Sequence, residues 1–363
     1  VGEVHTCAIM EGGLWCWGYN HDGELGIGTT ADSWIPVAVP GMESGIKTVS
    51  AGWFHTCAVK DGGAWCWGFN NPGTIGNASV GLQTSVPVPV DGMTSGVTAI
   101  SAGEFNTCAI KDGGAWCWGE HSTGQLGDGS SLTPVNPGHG IQSRVPVPVS
   151  GLERGVTGIS AGEFQICAVK DGGVWCWGYN YNGETDDPGT VSNVPVAIQG
   201  LSSGVTAVSV GTNHSCALMD GGAWCWGRGE QGQLGDGSRG NTVRDYTPKP
   251  AQGMENGVTS VSAGENYTCA VRGTDTSCWG DNYLGQLGDG TQQDRPRPVA
   301  IPFVVPSPEH PPGPVVNPFL PPVAPAAGTG PASARPVRQL FGISIALLAA
   351  GVAIVSVGRH CAR

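Results

Sequence analysis

Pairs of cysteines nine positions apart recur six times in this chain, and two cysteines at that spacing can form a disulfide bond. The second pair, Cys57 and Cys66, brackets Asp61-Gly62, a dipeptide that favours the type I′ turn of a β-hairpin. That turn places the two cysteines opposite each other at a non-hydrogen-bonded pair, where Cα atoms lie ~4.5–5.5 Å apart, within reach of a disulfide. The spacing therefore predicts six disulfides, each within its own hairpin: Cys7–Cys16, Cys57–Cys66, Cys108–Cys117, Cys167–Cys176, Cys216–Cys225 and Cys269–Cys278.

Two alternatives for these cysteines stay open at this point. Zinc sites usually bring their ligands as C-x2-C or C-x4-C with a second such pair, and eight intervening residues fit that poorly. Free thiols that pack as small hydrophobic groups are the other alternative. Six recurrences at opposed positions favour disulfides, and hence an oxidising compartment. The thirteenth cysteine, Cys361, lies outside the repeats.

Other residues able to do chemistry recur in only some of the repeats. The position two before each first cysteine is His5, His55, Asn106, Gln165, His214 or Tyr267. Half of these are not histidine, which favours hydrogen bonding at strand ends over a metal site. Aspartates stand in Gly-Asp-Gly turns at Asp128, Asp236 and Asp289, and they lack the further ligands of a calcium loop, so we expect turn chemistry. No nucleophile–base pair recurs, and we expect no enzyme, no metal and no cofactor.

The elements that must position these residues follow from the repeat. The cysteine pairs recur after 50, 51, 59, 49 and 53 residues, a period typical of repeat architectures. Each unit contains a Pro-Val-rich strand (86–90 in the second copy), a strand after Ser-Gly (97–101) and the cysteine hairpin. Four strands per unit predict an all-β fold, a β-propeller of about 50-residue blades with six or seven blades when complete. We take each unit to begin at its Pro-Val strand, which leaves the first hairpin without two preceding strands.

Tryptophan predicts how the blades pack. Eleven of the 13 tryptophans lie in the Trp-Cys-Trp-Gly strand or its remnant. Strand alternation puts Trp65 and Trp67 on one face and Cys66 on the other. We therefore expect the tryptophan face of one hairpin to pack on the disulfide face of the next.

Composition and charge exclude some classes of function. The 61 glycines and 27 prolines in 363 residues indicate many short strands. Residues 1–303 carry 28 acidic against 13 basic side chains, and an acidic surface repels phosphate, so no nucleic-acid partner is expected. Val1-Gly2 aligns with Val210-Gly211 inside a later repeat, which predicts a fragment whose leader is missing.

The C-terminal segments predict a membrane anchor. Beyond a propeller of residues 1–301, residues 302–336 are rich in Pro, Ala and Gly and are typical of an extended stalk. Residues 340–358 form an uncharged run that is long enough to span a bilayer as a helix. We therefore expect a transmembrane helix over 337–358. Residues 359–363 then form a short basic cytoplasmic tail, with the propeller outside the cell. No Leu-Pro-x-Thr-Gly motif for sortase anchoring is present, so we expect the span to be retained rather than processed.

The repeat also matches a known pattern. Ser-Ala-Gly-x-x-His-Thr-x-Ala-Val at 50–59 is followed by Trp67-Gly68-x-Asn70, by Gly-Gln-Leu-Gly-Asp-Gly in later copies, and by the Pro-Val strand. This order, repeated over residues 1–301, resembles the regulator-of-chromosome-condensation repeat family, which implies a propeller, commonly of seven blades. Segments 161–164 and 203–207 are similar to secreted bacterial members, including proteins that inhibit β-lactamases.

In that bacterial group, aromatic residues of the Ala-Gly-x-x loop form a protein-binding face. The matching positions here are Trp53, Phe54, Phe105 and Phe164. The other copies carry Val4, Asn213 and Asn266 at the second variable position, so the resemblance implies a one-sided contact surface. Packing over the end of the propeller is the alternative for these rings, and the long inserts at 120–144 and 228–247 are second candidates for a binding surface.

These observations predict a membrane-anchored bacterial cell-surface or cell-wall-associated protein, with a monomeric propeller that binds a protein or a glycan without catalysis. The alternative is an inhibitor or sensor ectodomain acting on a specific enzyme or signalling partner. The GTPase exchange activity of the nuclear family member is not expected, because this chain is acidic, disulfide-paired and anchored.

Overall fold

The computed structural model describes residues 2–130, 132, 142–179 and 191–302. These residues form six antiparallel sheets, the blades of a β-propeller, which follow one another in chain order. The first sheet contains β1 (His5–Met10), β2 (Gly13–Gly18) and β3 (Ser33–Ala38). The second contains β4 (Ile46–Ala51), β5 (His55–Lys60), β6 (Gly63–Phe69) and β7 (Gln83–Pro89). The third contains β8 (Val97–Ala102), β9 (Asn106–Lys111), β10 (Gly114–Glu120) and β11 (Gln142–Pro148).

The remaining three sheets repeat the four-stranded pattern. The fourth contains β12 (Val156–Ala161), β13 (Gln165–Lys170), β14 (Gly173–Tyr179) and β15 (Val191–Ala197). The fifth contains β16 (Val205–Val210), β17 (His214–Met219), β18 (Gly222–Arg228) and β19 (Arg244–Pro250). The sixth contains β20 (Val258–Ala263), β21 (Tyr267–Arg272), β22 (Asp275–Gly280) and β23 (Arg295–Ala300).

The cysteine hairpins have the predicted register. Cys57 lies opposite Cys66, and Asp61 and Gly62 form the connecting turn with φ of 50° and 79°. Two positive φ values are what a type I′ turn requires, and glycine adopts them without strain. All six predicted disulfides are present, each within one hairpin, with Cα atoms 4.1 Å apart. This excludes zinc ligation and free thiols at these twelve cysteines.

The predicted boundary of the repeat unit was wrong. The Pro-Val strand pairs with the hairpin that precedes it: β7 pairs with β6, and Cys66 lies opposite Val88. It is the last strand of its sheet, so the first sheet has three strands among the described residues, with β3 as its own Pro-Val strand, and β23 is the last strand of the sixth sheet. Proline explains the placement, because it has no N–H for a second ladder and is confined to edge strands.

The core lies between the sheets, where tryptophan packs on a disulfide as expected, but that disulfide belongs to the preceding hairpin and not, as predicted, to the next one. The second tryptophan of each of the later Trp-Cys-Trp-Gly strands is fully buried against the disulfide of the preceding sheet. Trp118, for example, packs with Cys57 and Cys66, and Trp177 packs with Cys108 and Cys117. One disulfide and one indole thus form the centre of each interface, together with a few small aliphatic side chains.

A hydrogen bond fixes four of the buried indoles to the neighbouring sheet. The acceptor is a backbone carbonyl in the glycine loop that follows the preceding hairpin; we call residues 23–28, 73–76, 124–129, 232–237 and 285–290 the glycine loops. Trp118 Nε1 donates to the Thr74 carbonyl at 2.8 Å. The same bond joins Trp67 to Glu24, Trp177 to Gln125 and Trp279 to Gln233.

The innermost strands are joined by serine side chains. Ser101 Oγ accepts from the Ala161 amide at 2.9 Å, and Ser50, Ser160 and Ser209 make the same bond to the next inner strand. These bonds connect the second to the sixth sheets in order. The loops that follow neighbouring inner strands are therefore held side by side.

The aspartates of the Gly-Asp-Gly turns have the structural role expected of them. Asp128, Asp236 and Asp289 each accept a hydrogen bond from the backbone amide two residues further on. Asp289 also contacts Arg295, and hydrogen bonds from Thr291 and Arg295 outweigh partial burial and lower the pKa of this carboxyl to about 2.

The predicted stalk, span and tail lie outside the described residues, apart from Pro302, and stay predictions. Within the part of the chain that the structure describes, no helix is long and apolar enough to cross a membrane.

Candidate binding face

Six loops meet at one end of the propeller, each just before the first strand of a hairpin. We call them the axial loops; they contain Gly2–Val4, Gly52–Phe54, Gly103–Phe105, Gly162–Phe164, Gly211–Asn213 and Gly264–Asn266. The glycine of each of the first five loops packs on the backbone of the next loop: a Cβ on Gly103 would lie 2.3 Å from the Gly162 carbonyl oxygen. Side chains at these positions would clash, so glycine is required for the loops to stand side by side.

Buried polar residues hold the axial loops from beneath. His55 is 1% exposed, and its Nε2 lies 2.8 Å from Thr107 Oγ1, whose hydroxyl proton is donated to the Thr74 carbonyl at 2.9 Å. Because that proton is used, the threonine oxygen accepts from a protonated Nε2 of a neutral imidazole. His5 and His214 make the same contact with Thr56 and Thr268, so all three histidines have the hydrogen-bonding role expected of this position.

Burial keeps these imidazoles neutral. It lowers the pKa of His5, His55 and His214 from 6.5 to about 3. The other copies use neutral side chains for similar contacts: Asn106 Nδ2 donates to the Glu163 carbonyl at 3.3 Å, and Gln165 accepts from Ser215 at 3.2 Å. The histidines therefore belong to the scaffold.

The predicted aromatic residues lie together on the second, third and fourth axial loops. Phe164 is exposed, at 37%, while Trp53, Phe54 and Phe105 are half-buried. The rings of Trp53 and Phe54 are 6.2 Å apart in an edge-to-face arrangement. Half-exposed rings of this kind can both pack on the propeller and contact a partner.

Two further aromatic residues join this set from the ends of the hairpins. Phe69 lies 6.3 Å from Phe54, and Tyr179 lies 6.2 Å from Phe164, both edge to face. The amide of each donates to the carbonyl of its ring partner, at 2.8 and 2.9 Å. We call Trp53, Phe54, Phe69, Phe105, Phe164 and Tyr179 the aromatic sector. Sequence reasoning missed Phe69 and Tyr179, whose signal was their position directly after the Trp-Cys-Trp-Gly strand.

Carboxyl groups accompany the aromatic sector. Glu104 and Glu163, at the first variable positions of the third and fourth axial loops, lie against each other. Burial, and then the negative charge of Glu163, raise the pKa of Glu104 to about 9, and burial also raises the pKa of Glu163. Glu3, Glu120 and Glu265 add negative charge around this pair. The sequence analysis did not single out these glutamates.

The fifth and sixth axial loops differ from the aromatic sector. Their second variable positions are Asn213 and Asn266, whose side chains are hydrogen-bonded to each other at 3.2 Å. Arg228 occupies the position of Phe69 and Tyr179 and pairs with Glu230. The face is thus one-sided, apolar and acidic on one part and polar on the other.

The inserts proposed as second candidates have separate outcomes. Residues 131 and 133–141 of insert 120–144 lie outside the described residues. Insert 228–247 packs on the sixth sheet, where Arg239 pairs with Asp294 at 2.7 Å and the Gly237 amide donates to the Pro296 carbonyl.

Comparison with known proteins places this propeller in a family. The model of the RCC1-like domain matches residues 1–311, and the chain therefore belongs to the RCC1-like propellers. The mitochondrial RCC1 domain-containing protein RUG3 of Arabidopsis thaliana is 31% identical over 188 residues, 50% of this chain and 42% of that protein. The ultraviolet-B receptor UVR8 of the same plant is 31% identical over 189 residues, 50% of this chain and 41% of the receptor.

Solved structures agree on the fold. Yeast RCC1 (Prp20), in its complex with Kap60, matches with a TM-score of 0.71 at 23% identity, over 83% of this chain and 74% of that chain. Human WBSCR16 matches with a TM-score of 0.67 at 22% identity, over 83% of this chain and 80% of that one. This chain spans about two fifths of the length of the two plant relatives.

Proposed function

We propose that the axial loops form a protein-binding face and that the chain acts by binding, without catalysis. The observation that carries this proposal is the aromatic sector, where six rings share one end of the propeller beside buried carboxyl groups. Tryptophan and tyrosine are enriched at binding hot spots, and aromatic residues in general at the centres of protein interfaces. Relatives with the same fold include a receptor and a protein solved with a bound partner.

The proposal places this face outside the cell. Six disulfides require an oxidising compartment, and the uncharged run 340–358 follows a proline-rich segment, as in an anchored bacterial surface protein. The finer alternative, an inhibitor or sensor of one enzyme or signalling partner, uses the same face and differs only in what is bound. A glycan ligand is an outcome that the same experiment would reveal.

The test compares two matched tryptophans. The full chain, its Trp53→Ala variant and its Trp34→Ala variant are used to capture surface and secreted proteins of the native host by cross-linking. Trp34 lies on the outer strand β3 and is 54% exposed, so its removal controls for the loss of an exposed indole. We expect Trp53→Ala, and Phe164→Ala in the same assay, to weaken binding of the captured partner by about 30-fold or more.

Stability decides between contact and packing. If the aromatic sector binds, Trp53→Ala shifts the melting temperature only slightly. A large loss of stability with unchanged affinity would assign these rings to the fold and overturn the proposal. Equal losses of binding in the Trp34 and Trp53 variants would also contradict it.

A further inference from the structure

One oxygen of the carboxyl pair formed by Glu104 and Glu163 has no hydrogen-bond partner in the described part of the chain. Glu104 is 6% exposed, and its Oε2 atom is enclosed and has no hydrogen-bond partner among the described residues. Its nearest charged neighbours are all acidic: Glu163, Glu120 and Glu3. A buried carboxyl without a donor costs free energy unless a proton or a cation satisfies it.

The surroundings favour a cationic side chain over a metal ion. The described residues contain no group of three or more His, Cys, Asp or Glu arranged to hold a metal. Phe105 and Phe164 follow the two glutamates in the chain, so the same two axial loops carry both carboxyl groups and aromatic rings. Both carboxylates and aromatic rings attract ammonium and guanidinium groups. The carboxylates do so by charge and hydrogen bonding, and the rings do so by cation–π contact.

We propose that Glu104 and Glu163, with the rings of Phe105 and Phe164, form the anchor site for a lysine or arginine side chain of a protein partner. This inference rests on the proposed function, because it names the chemistry of the partner that the same face would bind. The inserted cation would donate to the unpartnered Oε2 atom of Glu104 and stabilise the ionised form of the pair.

Protonation provides a readout that a purely structural role would not give. The pKa of Glu104, raised to about 9 by burial and by Glu163, keeps its carboxyl protonated at neutral pH. A bound cation favours the ionised carboxyl, so binding releases a proton and affinity rises as pH rises toward 9. The neighbouring charges that act on the pair come from Glu120, Glu3 and Glu265, all of them acids.

The experiment uses the full chain and three capped hexapeptides that differ in one central residue: arginine, lysine or citrulline. Citrulline keeps the shape of arginine without its charge. Calorimetry in buffers of different ionisation enthalpy, from pH 6 to pH 9, measures affinity and proton release. We expect the charged peptides to bind about tenfold or more tightly than the citrulline peptide, with affinity increasing with pH.

Two variants locate the effect. Glu163→Gln is expected to remove the charge preference and the proton release, while Glu11→Gln removes an equal charge from an exposed hairpin turn and leaves both unchanged. Retention of the wild-type melting temperature shows that Glu163→Gln is folded. If this variant unfolds, Glu104→Gln, which mimics the protonated carboxyl at neutral pH, provides the same comparison.

The results that overturn the inference differ from those that overturn the proposed function. Equal binding of the arginine and citrulline peptides, binding of none of the three, or a charge preference that survives Glu163→Gln would each refute the cation site. The protein-binding face would still stand if Trp53→Ala weakened binding of the captured partner. Loss of that effect refutes the face itself.

Discussion

The first sheet and the later sheets have the same hairpin but different surroundings. Trp17 is half-buried, whereas Trp67, Trp118, Trp177, Trp226 and Trp279, at the same position, are fully buried. Ile9 is 38% exposed and its counterpart Val59 is 0% exposed. The register and the disulfide are nevertheless the same in all six copies. The hairpin is therefore a local structure, while burial of the tryptophan comes from the neighbouring sheet.

Removal of the second tryptophan of the Trp-Cys-Trp-Gly strand should give the largest difference in stability loss between the first sheet and the later sheets. Trp118→Ala removes a fully buried indole and its hydrogen bond to the Thr74 carbonyl, and we expect a loss of about 4 kcal/mol in the free energy of unfolding. Trp17→Ala should cost less than half of that. Denaturant unfolding with intact disulfides measures both, and equal losses would contradict the comparison.

Removal of single disulfides should separate two contributions to stability, the entropy of the unfolded chain and the packing of the folded state. Each closes a loop of the same length, so replacing either pair with alanines should cost about 3 kcal/mol by the loop-entropy model. The Cys57/Cys66 pair, which contacts Trp118, should cost more than the Cys7/Cys16 pair, whose first cysteine is half-buried. A larger loss at Cys7/Cys16 would show that the first hairpin depends on its bridge for folding, and packing would not explain the difference.

Close backbone contact between axial loops should be sensitive to a single methyl group. Gly103→Ala places a Cβ 2.3 Å from the Gly162 carbonyl oxygen, and we expect a loss of about 1–3 kcal/mol. Gly81→Ala is the control, because a Cβ there has no atom within 4 Å and the backbone is not left-handed. If both variants unfold at the same denaturant concentration, the loops can separate without cost.

Low pH should destabilise the first and second sheets equally through their buried histidines. His5 is as buried as His55, and burial lowers the pKa of both to about 3. The folded state resists protonation, so the contribution of each to stability is complete above pH 6.5 and is lost as pH falls toward 3. Each should cost about 1 kcal/mol between pH 7 and pH 5.5.

His5→Gln and His55→Gln test this in parallel, since Gln165 already occupies that position in the fourth sheet. Both should flatten the pH profile of the melting temperature equally. The raised pKa of Glu104 works in the opposite direction, because burial and Glu163 favour its protonated form in the folded state, and it is common to the wild type and the variants. Unequal effects of the two substitutions would show that His5 is in a different environment.

The sequence determined the hairpins more completely than the sheets. Spacing and strand alternation are local, so the disulfide register and the packing of tryptophan on disulfide could be predicted. A period alone does not say where a unit begins, and the boundary became clear only through the pairing of the Pro-Val strand β7 with β6. The lack of an N–H in proline was the available clue to an edge strand.

The candidate face was predictable only in part. Trp53, Phe54, Phe105 and Phe164 share one position in a repeat, which the sequence shows directly. Glu104 and Glu163 are 59 positions apart in the chain, and their approach depends on how closely two axial loops stack. Whether the rings bind a partner is a question for the substitutions described above.

The acceptors of the indole hydrogen bonds are main-chain carbonyls, and this has an evolutionary consequence. Glu24, Thr74, Gln125 and Gln233 differ in side chain yet offer the same oxygen to the next unit. Mutation at these positions can change the side chain without loss of the hydrogen bond between neighbouring units. A duplicated or exchanged gene segment of about fifty codons would encode a unit that can form the same indole–carbonyl hydrogen bond with any neighbouring unit. Its surface residues would then be free to diverge toward a new ligand.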